Sequence, residues 1–254
     1  MKFKTILLAL FAVSLLAGCN QKNNEPGGGK AAGTVKDACG NTYNYVKIGS
    51  QYWMAENLRC NVCDSESPSA GATIPAFSQG GDTGPFYIDG TKQSNWQSAS
   101  QAGDLSSSQI SHLGYQYNVA GYMALKDGSY YTEEVFGYQG ICPNGWHIPT
   151  RSEFETLEKS VGSNPGKALK ATSGWSQDSG NTDKYGFYAL PAGNLDPTTG
   201  TITYVGLSTS FATATPMDGG YSIACVNIMG GGSGKINYQR TAKYVSLSVR
   251  CVKD

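Results

Sequence analysis

Sulfur constrains this chain more than any other feature. Of its seven cysteines, Cys19 stands apart: before it come Lys2 and Lys4, an apolar run from Ile6 to Leu16, and then Ala17-Gly18. A basic start, a short apolar centre and small residues before a cleavage point make an export signal over residues 1–18. The run is shorter than the about 20 residues a membrane helix needs. Leu16-Ala17-Gly18-Cys19 has the form of the tetrapeptide at which bacteria attach diacylglycerol to a thiol and cut before it, so Cys19 is the expected lipidation site. Each buried CH₂ of such a lipid adds about 0.8 kcal/mol of membrane affinity. The expected partner is therefore a membrane, reached through the lipid anchor. Asn20, where an Asp would favour inner-membrane retention, points to the outer membrane and the cell surface.

Setting Cys19 aside leaves six cysteines, an even number in an exported chain, for which disulfides are the default. Cys60 and Cys63 have the Cys-x-x-Cys spacing of redox and zinc sites. No second such pair or pair of histidines completes a metal set, and the motif does not join a strand to a helix. No cofactor is expected. One bridge follows from strand geometry. Thr42 to Ile48 alternates as a strand, Gly49-Ser50 has the glycine-first form of a type II′ turn, and Gln51 to Met54 returns. Carried back from Ile48 facing Gln51, that register sets Cys39 opposite Cys60 at a non-hydrogen-bonded position, where Cα atoms lie closest. At the other end of the chain Ser246 to Val252 reads as a strand, with Leu247, Val249 and Cys251 on one face and Ser248 and Arg250 on the other. Cys142 is the best partner for Cys251.

Residues 19–36 are polar and glycine-rich and read as a flexible tether. The domain that follows, 37–254, is large enough for a real core. Only 15% of residues are charged, against 33 glycines and 16 tyrosines, which points to strands, turns and long ordered loops. Loss of Lys2 and Lys4 leaves 17 basic residues against 19 acidic ones, and no basic run exists to release counterions from a phosphate backbone. Nucleic acid is not an expected partner. From 62 to 139 the pattern dissolves into Ser, Gly, Ala, Thr and Pro with scattered aromatics, a loop-rich insertion that must hold some local structure. The clearest helix starts at Thr150, with the Thr-x-x-Glu capping box to Glu153, an apolar face of Phe154, Leu157 and Val161, and Gly162 as its stop. A second short helix is expected from Gly166 to Thr172, and strands at Phe187–Leu190, Thr201–Val205 and Tyr221–Asn227.

Asp37-Ala-Cys-Gly-Asn-Thr-Tyr43, Ile48-Gly-Ser-Gln-Tyr-Trp53-Met-Ala-Glu-Asn57-Leu58, Cys142-Pro-Asn-Gly-Trp146-His-Ile-Pro149-Thr150 and Ser248-Val-Arg250-Cys251 together resemble the Fibrobacter succinogenes major paralogous domain. Leu169 to Trp175 and Gly186 to Gly193 resemble it as well; Val119 and Phe211 lie near places where the family often carries tryptophan. Members are typically secreted or lipid-anchored proteins of gut and rumen Bacteroidetes-like bacteria. The Trp-His-Ile-Pro-Thr-x-x-Glu-Phe and Val-Arg-Cys segments are also similar to parts of formylglycine-generating enzymes and C-type-lectin-like domains. The resemblance implies an α+β, C-type-lectin-like fold of twisted antiparallel sheets with one or two short helices and long ordered loops. It also supports Cys142 with Cys251. If the hairpin pairing holds as well, Cys63 is left with Cys225.

Catalytic signals are sparse. Two histidines are few for acid–base chemistry; His147, entering a helix, reads as a packed or hydrogen-bonded structural residue. No Gly-x-Ser-x-Gly, His-Glu-x-x-His or Gly-Lys-Ser/Thr loop occurs. Formylglycine-generating chemistry needs a close cysteine pair late in the chain, where only Cys251 stands. Asp178, Asn181 and Asp183 are weak calcium candidates, since calcium takes 6 to 8 oxygens. What remains is recognition by a loop surface within Gly219 to Arg240, with Tyr221, Asn227, Asn237, Tyr238 and Arg240 as candidate ligand contacts. The expected function is a non-enzymatic binding or adhesion module taking a glycan or protein ligand. The alternatives are a structural subunit or tip of an envelope assembly and, third, an oxidase of the formylglycine-generating type.

Overall fold

A computed structural model describes residues 29–67, 69–74, 87–89, 106–125, 137–176, 178, 180–196, 201–232 and 234–254. The export signal, Cys19 and the tether as far as residue 28 lie outside the described residues. In chain order the strands are β1 (Gly33–Lys36), β2 (Thr42–Ile48), β3 (Gln51–Met54), β4 (Tyr87–Asp89), β5 (Tyr115–Tyr117), β6 (Trp146–His147), β7 (Ala192–Asp196), β8 (Thr201–Val205), β9 (Ser208–Met217), β10 (Ser222–Met229), β11 (Ile236–Ala242), β12 (Leu247–Ser248) and β13 (Val252–Lys253). The helices are α1 (Ser107–Ser111), α2 (Val119–Tyr122), α3 (Arg151–Val161) and α4 (Pro165–Leu169).

The β2–β3 hairpin forms in the expected register, Ile48 facing Gln51, with Gly49 at φ +60° as a glycine-first turn requires. Its alternation covers both faces: Val46, Ile48 and Trp53 enter one core cluster, Tyr43 and Met54 the other. The ladder runs only to Tyr45 and Met54, where β3 ends; further back Asp37 turns the chain between β1 and β2, accepting from the Asn41 amide at 2.9 Å and the Tyr43 hydroxyl at 2.5 Å. Cys39 and Cys60 are nonetheless bridged, with Cα atoms 5.5 Å apart.

β1 corrects the extent of the tether. Gly33 to Lys36 pairs with Thr42 to Tyr45 and Val35 packs on the core, so ordered chain begins before Asp37. The resulting sheet has the order β1-β2-β3-β13-β6, and a second, eight-stranded sheet includes the path β11-β10-β9-β12-β5-β4, with β7 paired to β9 and β8 to β7. Pairing is antiparallel except for β12 and β7 against β9. This mostly β, few-helix arrangement is α+β.

The insertion is more than decoration where it is described. β5 carries Tyr117, fully buried, and α2 with its neighbours contributes Val119, Tyr122 and Met123 to the same cluster. Local pattern did not reveal this because the strand is three residues long and the helix four. α3 forms as expected: Thr150 accepts from the Glu153 amide while the Glu153 carboxylate accepts from the Thr150 amide, and Phe154 and Leu157 are buried. α4 ends at Leu169, short of Thr172, because Lys170 turns extended and Ala171 bonds across to Ala189. Phe187 to Leu190 is not a strand. The Asp183 carboxylate captures the Tyr188 amide and holds that residue at φ +53°, leaving one bridge from Ala189 to Lys170. β10 lies one residue later and runs two residues further than expected.

Ser246 to Val252 is likewise not one strand. Leu247–Ser248 belongs to the eight-stranded sheet and Val252–Lys253 to the five-stranded one, so the chain changes sheets between them. Both side-chain faces of that crossing are buried, and Arg250 is 1% exposed. The crossing places Cys251 beside Cys142, and the two are bridged with Cα atoms 5.9 Å apart.

Cys63 and Cys225 are not bridged, contrary to the pairing left by elimination. Both are free thiols in one apolar cluster. Cys225 is fixed mid-strand in β10 between Ala212 and Gln239, while Cys63 sits in a tight loop whose amide and carbonyl bond Ala72 and Gly71. Sharing a core does not bring two Cα atoms within the about 7 Å and aligned Cβ vectors that a bridge needs.

Candidate binding surface

The groups that fix the frame come first, since they decide which side chains are left for a ligand. Arg250, at the crossing between the sheets, donates to Asn57 Oδ1 at 2.6 Å and to the Phe187 and Tyr188 carbonyls, and its guanidinium lies over the Phe187 and Phe211 rings. Burial draws its pKa down to about 9, against the pull of Asp183 and Glu56, so it stays charged at neutral pH. Asp183 is fully buried with Oδ2 unpaired, and burial pushes its carboxyl up to about 7 despite the Tyr188 amide and the Arg250 charge. Five donors in a planar fork let one Arg bind two loops at once.

His147 clamps the other end of this segment. Its ring nitrogens lie 2.5 Å from Asp254 Oδ1 and 2.8 Å from Glu153 Oε1. Burial alone would lower the imidazole pKa, but the hydrogen bonds it donates to the two carboxylates outweigh that and raise it. Burial would likewise raise Glu153, yet bonds from His147 and Thr150 bring it below its ordinary value. This is the structural role read for His147 from the sequence.

The calcium candidates do not make a cation cage. Asp178 is spent on Lys170, 2.6 Å away with both side chains buried, and Lys170 also donates to the Met229 carbonyl and lies over Trp175. Asp183 already accepts from Tyr188. Among the described residues one group of possible metal ligands gathers, Asp37, Cys39 and Cys60, and two of its three members are tied in a disulfide.

The five candidate ligand contacts separate into two sets. Asn227, Asn237 and Tyr238 serve the frame or lie within the sheet: Asn227 is 5% exposed and donates to Ser210 Oγ at 3.0 Å, Asn237 is half-buried opposite it, and Tyr238 donates to Glu158 Oε2 at 2.8 Å under the Arg151 guanidinium. Sequence alone could not separate them, because a polar strand residue reads the same whether it faces solvent or, like Asn227 in β10 or Tyr238 in β11, bonds to the frame. Tyr221 and Arg240 face outward. Tyr221 is 78% exposed, set at the tip by Asp218, Gly219 and Gly220, all at positive φ. Arg240 donates to Asp218 Oδ2 at 2.8 Å, and Ser222 donates to the same oxygen at 2.7 Å. These bonds hold the Asp218 carboxyl below its usual range.

Tyr244 was missed. It is 53% exposed, in the turn that closes with the Val245 amide on Ala242, and Ala242 faces Ser222, the neighbour of Tyr221. Its signal was available in the Ala-Lys-Tyr-Val turn after the last polar strand. Two exposed rings and the Asp218–Arg240 pair thus share one end of the β10–β11 hairpin.

Neither free thiol looks reactive. Burial pushes Cys225 up to about 11, and it also raises Cys63, with a hydrogen bond to Ser67 working the other way. Reactive cysteines are the reverse, exposed and with a lowered pKa. No described helix is long and apolar enough to cross a membrane.

Residues 46–253 match the Fibrobacter succinogenes major domain, and the chain belongs to that family. No curated protein and no solved structure matches it.

Proposed function

We propose that this member of the Fibrobacter succinogenes major domain family is a non-enzymatic binding module, held at the outer cell surface by a lipid on Cys19, with a C-type-lectin-like frame. The ligand is a glycan, met at the open end of the β10–β11 hairpin, beside the turn that joins β9 to β10. One observation carries the reading: Tyr221 and Tyr244 are 78% and 53% exposed at the same end of the hairpin, whereas Met229, 51% exposed, stands alone at its other end. Single exposed apolar residues are ordinary. Two tyrosines beside an exposed Arg–Asp pair offer apolar faces for a sugar ring and polar groups for its hydroxyls, the rings at small cost in side-chain entropy. Oxidase chemistry of the formylglycine-generating type lacks support, since Cys251 is bonded to Cys142 and the two thiols that remain are buried.

Lipid-free protein beginning at Gly29, screened on a glycan array, tests this. Binding that falls about tenfold or more in Tyr221→Ala and Tyr244→Ala, each near 1–2 kcal/mol for a lost hot-spot ring, supports the surface. Silence across glycans, or binding that both variants keep, overturns it.

A further inference from the structure

β11 ends the eight-stranded sheet: β10 lies on one side, and among the described residues no strand lies on the other. Such an edge offers a row of backbone donors and acceptors, and proteins ordinarily guard it with Pro, Lys, a bulge or a very short strand. β11 has none of these. It is seven residues long, Ile236-Asn-Tyr-Gln-Arg-Thr-Ala242, and pairs with β10 without interruption from Ala242 to Ile236. Its one charge, Arg240, is paired with Asp218.

We propose that β11 pairs with β11 of a second copy of this chain, antiparallel about a twofold axis through Gln239, joining two eight-stranded sheets into one. The residues select that register. Gln239 faces its own copy, amide to amide. Asn237 faces Thr241, Tyr238 faces Arg240, and Ile236 faces Ala242, each pair occurring twice as a twofold contact requires. These are polar-to-polar, ring-to-cation and apolar-to-apolar pairs of the kind that stabilise facing strands. Centring on Arg240 would oppose two like charges. Centring on Tyr238 would set Arg240 against Ile236, which is 7% exposed. Charge favours the same choice: around Tyr238 stand Glu158, which accepts from its hydroxyl at 2.8 Å, Glu155, and one opposing cation, Arg151 over the ring, leaving one net negative charge for Arg240 of the partner subunit to meet. The proposal does not rest on the glycan reading, although the two share Arg240; its test is therefore placed at Gln239, which is exposed and is not among the groups assigned to the ligand.

Thiol placement tests it in the full chain. Cells or membranes carrying Gln239→Cys are treated with a thiol-to-thiol crosslinker of about 5 Å span, the Cβ separation of directly facing residues. Cys63 and Cys225 are buried and do not compete. A dimer-mass band is expected, about tenfold stronger than for Thr241→Cys, whose two copies would lie four residues apart along the ladder, about 13 Å. Mixing Asn237→Cys with Thr241→Cys restores the band. The proposal is overturned if Gln239→Cys stays monomeric while its thiol remains open to labelling. It is equally overturned if Thr241→Cys crosslinks as strongly, or if the band has another mass, which would mean that a different protein's strand occupies the edge.

Discussion

Removing the two disulfides separately should destabilise the fold by unequal amounts, and loop length fixes the order. Cys142 and Cys251 are 109 residues apart, Cys39 and Cys60 only 21. Closing a loop removes denatured-state entropy that grows with the logarithm of its length, giving about 4.8 kcal/mol for the long bridge and about 3.4 kcal/mol for the short one. Burial acts in the same direction. Cys142 and Cys251 are both fully buried, so truncating them also leaves a cavity, whereas Cys39 lies at the surface. Urea unfolding of Cys142→Ala/Cys251→Ala and Cys39→Ala/Cys60→Ala should therefore show the first losing more, by at least about 1 kcal/mol. The two loops do not overlap, so the quadruple variant should lose the sum. In wild type a mild reductant should open Cys39–Cys60 first. A larger loss from the short bridge, or simultaneous reduction of both, would refute the reasoning from loop length and burial.

Three further outcomes follow from the buried polar groups. His147 has a raised folded pKa, so its contribution is complete below its unfolded value near 6.5 and is lost as pH rises through the folded one; Glu153, lowered, contributes above about 4.5 and loses that as pH falls. The clamp's own contribution should be greatest between those limits, and His147→Gln should flatten the alkaline loss relative to wild type; an unchanged profile removes the clamp. Asp183 has the opposite sign to Glu153: with a folded pKa of about 7 against 3.8 unfolded, it makes stability fall as pH rises between the two, and Asp183→Asn should abolish that fall relative to wild type in a pH series of unfolding curves. Arg250→Met should cost about 3–5 kcal/mol, since it strands Asn57 and two carbonyls in a dry site, and Arg250→Lys should not restore it, because one ammonium cannot serve both loops. Full rescue by lysine in the same assay would show that charge alone matters there.

What was legible in the sequence was local. The Gly49-Ser50 turn and the Thr150 capping box depend on residues a few positions apart and formed as read, and Cys39 and Cys60 are bridged as expected although the hairpin ladder stops short of them. Illegible features depend on sheet changes. Period-two alternation in Ser246 to Val252 is real, but it reports one buried face only if the run stays in one sheet, and here it crosses between two. Arg250, placed on the face opposite Leu247, Val249 and Cys251, is for that reason an interior residue. The insertion hid Tyr117 and Tyr122 in elements too short to show a period. Counting cysteines failed in the same way: an even number permits three bridges, but each bridge is a statement about two Cα positions.

The same distinction explains why the candidate surface was half visible. Asparagine and tyrosine in a strand look alike whether they face solvent or close a buried network, and β10 lies between β9 and β11 with core on both faces, so Asn227 turns to Ser210. Tyr221, Arg240 and Tyr244 face outward because they sit at or near the hairpin's end, where glycines at 219 and 220 and the turn at Ala242 take the chain off the sheet. Side chains there cannot be absorbed by the core without breaking those turns. Exposure at that tip is therefore imposed by the backbone, and it would persist whether or not a ligand is present. For that reason the contribution of each ring is measurable by substitution, since Tyr221→Ala and Tyr244→Ala can alter binding with little effect on the buried braces around Arg250, His147 and Lys170.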